Sequence, residues 1–96
     1  MRQSNIFYRA IKSIQRGTIS ITSPNGSATA TLSPSVNTAK AVVIAGGYTG
    51  GHNSVAPFDN PARVELTNST TVTAYRTTAD TGGSTSTVPW QVIEFY

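Results

Sequence analysis

The sequence predicts an all-β chain: a single antiparallel β-sandwich of about six to seven strands behind an extended or short helical N-terminal arm. Three observations carry this. Serine and threonine make up 26 of the 96 residues, while charged residues are only 11%. Threonine loses χ1 freedom in a helix and fits a pleated surface better. Apolar and hydroxyl residues alternate along most of the chain, and turn signals recur at short intervals. The length bounds the answer to one domain with one modest core, divided into an arm at 1–10 and a sandwich at 11–96.

The arm, "SNIFYRAIKSIQR", is ambiguous. Ile6, Phe7, Ala10, Ile11 and Ile14 fit a helical stripe, with Ser4 as an N-cap. The favoured reading is an arm to about residue 10 and then a strand, with Gly17 marking a bulge. In "GTISI" (17–21), Ile19 and Ile21 share one face. "SPNG" (23–26) is a turn, since proline fixes one φ and Asn25-Gly26 accept positive φ. In "SATATLS" (27–33), Ala28, Ala30 and Leu32 face inward. These two strands read as a hairpin whose outer hydroxyls pair across it.

"AKAVVIAGG" (39–47) differs, because Val42, Val43 and Ile44 are consecutive. Both faces of that strand want cover, so it is central in the sandwich or lies under a neighbouring subunit. The loop "GYTGGHNSVAPFDNP" (47–61) is long for a compact domain, and such loops are usually functional or mobile. In "RVELTNSTTVTAYR", Val64 and Leu66 point inward while Arg63, Glu65 and Thr67 point outward. Asn68-Ser69 turns the chain, and Val72 and Ala74 point inward on the return. "ADTGGS" (79–84) is a further turn. The last strand, "TSTVPWQVIEFY", has Val88, Trp90 and Val92 on one face and Ile93 and Phe95 on the other. Pro89 lacks a ladder donor, which predicts an edge or a bulge. A Phe-Tyr ending is costly to leave in water, so the chain is expected to end inside packed structure.

Few residues offer chemistry. There is no cysteine, hence no disulfide, thiolate or thiolate ligand. His52 is the one histidine, and only Asp59 stands near it in sequence, so a metal site lacks its ligands. Ser54, His52 and Asp59 form no recognisable nucleophile motif. "GGYTGGH" has no following lysine and is not a phosphate loop. The carboxylates Asp59, Glu65, Asp80 and Glu94 show no paired spacing; Glu65 and Glu94 sit at outward or edge positions and fit ion pairs with Arg63, Arg76 or a neighbour. The expectation is no enzyme, no cofactor and no metal. "NGS" and "NST" match glycosylation acceptors, but both fall at turns where asparagine belongs. The longest apolar run, "AVVIA", is far short of the roughly 20 residues of a membrane span, and the N-terminus has no signal-peptide apolar region.

Charge is unevenly spread. Residues 1–58 carry Arg2, Arg9, Lys12, Arg16 and Lys40 with no acid, a net +5; residues 59–96 carry two arginines against four acids, a net −2. A basic arm can meet nucleic acid or the acidic face of a neighbouring subunit, or the imbalance is simply a solvated surface. No nucleic-acid motif follows, so nucleic acid is not the expected partner.

Taken as a set, "IKSIQRGTISI", "SATATLS", "AKAVVIAGG", "ARVELTNSTTVTAYR" and "VPWQVIEFY" resemble small β-sandwich virion structural proteins of tailed bacteriophages, a group that includes capsid decoration or cement proteins and head- or tail-fibre modules. The resemblance runs from about residue 11 to the end and carries no catalytic signature. It implies a homo-oligomer, a trimer first of all, made in the host cytoplasm and seated on the virion against a major capsid or other virion protein. Phe7, Tyr8 and Arg9 are then the expected anchors, since aromatics and arginine dominate interface energetics. The competing reading is a lectin-like module that binds host-surface glycan through Tyr48 and His52, whose rings offer apolar area with a polar tip.

Overall fold

The computed structural model describes residues 10–22, 25–47, 62–76 and 85–96. Six strands are present among them: β1 Ile11–Ile21, β2 Ser27–Thr31, β3 Ala41–Ala45, β4 Ala62–Asn68, β5 Thr71–Arg76 and β6 Ser86–Phe95. They form two three-stranded antiparallel sheets, the first ordered β1-β6-β3 and the second β2-β5-β4. The predicted all-β sandwich is therefore the observed class.

Alternation decides which side chains fill the space between the sheets. The first sheet contributes Ile19, Ile21, Val88, Trp90 and Val92, and the second contributes Val72 and Ala74. Leu32 and Val36 close the core from the β2–β3 connection. Ala28, Ala30, Ala62, Val64 and Leu66 pack against this cluster from the second sheet. Bulk on one sheet thus meets small residues on the other, which fills a thin sandwich without strain.

β1 and β2 are not a hairpin. β1 pairs with β6 along its length, and β2 pairs with β5. The chain passes from one sheet to the other between Ile21 and Ser27, and the Asn25 amide donates to the Thr22 carbonyl (2.8 Å). Period-two alternation fixes which face is buried and says nothing about the neighbouring strand. Arg76, inward on β5 and only 5% exposed, binds this crossing: its Nε donates to the Asn25 carbonyl at 2.9 Å and its Nη1 to Ser86 Oγ at 3.2 Å.

β4 and β5 do form the predicted hairpin, with its turn one residue later than expected, at Ser69-Thr70. Asn68 ends β4, and its Oδ1 accepts from the Thr70 amide (2.9 Å) and hydroxyl (3.0 Å). The same turn lends two carbonyls to the β2–β3 connection, accepting from the Leu32 and Val36 amides. Gln15 holds that connection from β1, donating to the Pro34 carbonyl and accepting from the Ser33 amide.

Strand order refines two expectations about β6 and β3. β6 is the central strand of its sheet and holds Pro89 opposite Thr18. The missing donor is tolerated because β3 ends at Ala45, level with Trp90; beyond it only the Gly46 amide reaches the Pro89 carbonyl. A residue's N–H and C=O point to the same side of a strand, so the absent N–H faces this locally open edge. β3 is itself an edge strand. Its two-sided apolar character was read as a sign of a central position or of a place under a neighbouring subunit; the central position is ruled out, and the outer side is open in this chain.

Gly17 marks no bulge. It pairs in register with Trp90, and a Cβ there would lie 2.8 Å from the indole Cζ2. Glycine is needed because the ring lies against the backbone. The irregularity falls instead between Ile11 and Ser13, opposite Phe95 and Glu94.

Candidate functional site

The bulge at Lys12 re-aims the start of β1. Ile11 and Ile14 are three apart and would lie on opposite faces of a regular strand. The extra residue puts both on the outer face, level with Phe95 and Ile93 respectively. Across the sheet, Ile14, Ile93 and Val42 make one row, and Arg16, Gln91 and Ile44 make the next. The exposures are Ile11 41%, Ile14 44%, Val42 46%, Ile44 43%, Phe95 38% and Tyr96 67%. Every exposed large apolar side chain among the described residues therefore belongs to this sheet or the chain end beside it.

The other outer face has the opposite character. Ser27, Thr29, Thr31, Thr71, Thr73 and Tyr75 lie across the second sheet, with Arg63, Glu65 and Thr67 on β4. Some of its polar groups serve one another. Thr67 and Thr73 share a hydroxyl hydrogen bond, Arg63 lies 4.3 Å over the Tyr75 ring, and Arg63 Nη1 stands 3.5 Å from Glu65 Oε2. The second sheet thus shows a polar, hydroxyl-rich surface, while the first sheet leaves aliphatic surface in water. Covering the exposed half of each aliphatic side chain is worth roughly 1 kcal/mol, so a partner gains most by taking the whole row.

Charge on the apolar face has one sign. Arg16 stands at its margin, and the one carboxylate of the first sheet, Glu94, points inward and is 4% exposed. This corrects the expectation that Glu94 is an outward or edge residue. Alternation from Trp90 and Val92 puts it on the buried side at the sandwich end, where it pins the β2–β3 connection. Its Oε2 accepts from the Asn37 amide (2.8 Å) and its Oε1 from Ser13 Oγ (3.2 Å), with Lys12 Nζ 4.0 Å away. The Asn37 amide bond is the main cause that holds the Glu94 pKa below its ordinary 4.5; burial opposes it, and Ser13 and Lys12 add smaller downward pulls. Its folded pKa being depressed, Glu94 contributes stability above the unfolded value that is lost as pH falls through the folded one. The expected result is that Glu94→Gln flattens the acid limb, so its melting temperature falls less than that of the wild type between about pH 6 and pH 3. Parallel acid limbs would remove Glu94 as the cause.

Phe7, Tyr8, Arg9, Tyr48 and His52, the residues the sequence singled out for binding, lie outside the described residues, as do Asp59, Asp80 and the turn at 79–84. The start of the long loop is described: Gly47 takes φ 96°, a conformation that favours glycine. Of the remaining carboxylates, Glu65 pairs with Arg63 as expected. Arg76 binds the core crossing through the Asn25 carbonyl. Phe95 and Tyr96 are exposed and do not end the chain inside this subunit's core. Sequence reasoning noted the two-sided apolar strands but did not assemble Ile11, Ile14, Val42, Ile44, Ile93 and Phe95 into one face. Doing so requires the strand order and the Lys12 bulge.

Among the described residues no group of three or more histidine, aspartate or glutamate side chains stands close enough to hold a metal ion, and no helix is long and apolar enough to cross a membrane. No family model matches the chain, and no similar protein emerges among curated proteins or solved structures.

Proposed function

We propose that this chain is a non-enzymatic structural subunit of a bacteriophage virion, of the decoration, cement or fibre type, which stabilises the particle by docking the outer face of its first sheet. The observation that carries the proposal is the asymmetry of the sandwich. One outer face is a polar, hydroxyl-rich surface, and the other is aliphatic and uncovered. Contiguous exposed apolar surface marks interaction sites in soluble proteins. The low overall charge suits such a role, because few charges need desolvating on association. The reading includes self-association, a trimer first, with copies seated on a major capsid or other virion protein. The virion assignment itself rests on the sequence resemblance.

The particle is the test. Gradient-purified virions from the phage that encodes this chain should contain it at a fixed ratio to the coat or tail protein. A chain abundant in the lysate but missing from the particles would overturn the proposal.

A further inference from the structure

At one end of the apolar face lies a surface pocket of about 230 Å³, lined by Arg16, Gly17, Ile44, Gly46, Pro89, Trp90 and Gln91. We propose that it is an anchor site for a partner protein's segment, one that inserts a single apolar side chain and sets a neighbouring carboxylate against Arg16. The inference rests on the docking role proposed for the first sheet and names the chemistry of its partner.

Three observations support the site. Its volume is below the range of drug-sized ligand cavities, roughly 300–1,000 Å³, and suits one side chain. Its space is kept open on the outer face by Gly46, where a Cβ would meet Pro89 Cγ at 3.2 Å. Finally, Arg16 is oriented at the rim, since its Nε donates to Gln91 Oε1 at 3.2 Å. That bond holds the guanidinium in place and leaves its terminal nitrogens for a carboxylate.

Charge also selects the class of partner. The outer face of the first sheet presents Arg16 and no carboxylate, since Glu94 is turned inward with Lys12 beside it. Two copies meeting through this face would bring cations together over desolvated aliphatic surface, which is unfavourable. The outer face of the second sheet is no better match, because Glu65 is already paired with Arg63. The occupant is therefore a different protein, with an apolar residue next to Asp or Glu.

Trp90 is the sole tryptophan and lies on the strand that floors the pocket, so its fluorescence reports a ligand seated there. The probes are three blocked tripeptide amides: acetyl-Ala-Phe-Glu, acetyl-Ala-Phe-Gln and acetyl-Ala-Ala-Glu. The first is expected to shift Trp90 emission saturably at about millimolar concentration. Removing the apolar ring should weaken binding about tenfold or more. Removing the carboxylate, or replacing Arg16 by glutamine in the protein, should weaken it about threefold to fivefold, the range of a partly exposed ion pair. Arg16 is exposed, so Arg16→Gln leaves the fold intact, which circular dichroism checks. No saturable shift with acetyl-Ala-Phe-Glu, or equal affinity for the glutamine probe, overturns the proposal. Anilinonaphthalene sulfonate binding, compared between wild type and Val42→Lys, separates this outcome from failure of the wider reading. Dye binding lost in Val42→Lys without any peptide binding removes the pocket and keeps the docking face; dye binding that Val42→Lys leaves unchanged removes the face as well.

Discussion

Replacing Gly17 with valine lowers the folding stability by about 3 kcal/mol, the upper end for forcing extra atoms into a packed site. Propensity alone predicts the opposite sign, because valine is favoured in strands and glycine is not. Geometry wins here. The new Cβ would stand 2.8 Å from Trp90 Cζ2 and 3.0 Å from Cε2, closer than any real contact of that kind. The ring has little room to retreat, since Trp90 is 7% exposed and belongs to the same cluster as Ile19, Val88 and Val92. Trp90→Leu leaves a cavity and on its own costs about 2–4 kcal/mol. In the double variant the valine methyls occupy space the indole vacates. The pair is therefore expected to be less destabilised than the sum by at least about 1 kcal/mol. Urea unfolding followed by far-ultraviolet circular dichroism measures all three without needing the tryptophan. Strictly additive losses would mean that Gly17 and Trp90 do not share that space.

The second large effect concerns association. Ile14→Glu combined with Val42→Glu should weaken the proposed attachment to a particle at least about a hundredfold, or about 2.8 kcal/mol. Both residues flank Ile93 in one row of the first sheet. Each substitution removes aliphatic area from the contact and brings in a charge that a partner must desolvate. The fold should hold, because both side chains are more than two-fifths exposed and neither belongs to the core cluster. Thr29→Lys on the opposite sheet is the matched control; Thr29 is exposed and pairs with Thr73 in the hydroxyl-rich face. Co-sedimentation with particles reads both variants. Equal loss from the Thr29→Lys control would move the docking surface to the other sheet.

The sequence made the faces legible and the neighbours illegible. Alternation placed Val64, Leu66, Val72, Ala74, Val88, Trp90 and Val92 inward, and all seven lie in or against the core. The hairpin around Asn68 was readable because its turn chemistry is local. The β1–β2 pairing was not, since a strand that crosses to the other sheet shows the same alternation as one that folds back. Pro89 misled for a related reason: a central strand can have a local edge where its neighbour stops early, and strand length is set by the partner. The docking face was half visible. Consecutive apolar residues at 42–44 signalled a strand wanting cover on both sides, yet only the sheet order makes β3 an edge. Joining Ile11 to Ile14 on one face depended on a one-residue bulge that no residue type announced. Glu94 followed the inward alternation, but a carboxylate there became readable only with its donors Asn37 and Ser13 in view.

The most direct measurement is oxidative footprinting of the chain, free and attached to purified particles, with mass-spectrometric readout by residue. Attachment through the first sheet predicts protection at Ile11, Ile14, Val42, Ile44, Ile93 and Phe95, with Tyr75 on the other sheet as reactive bound as free. Protection centred on Tyr75 and its threonine neighbours, with the aliphatic row still reactive, would contradict it.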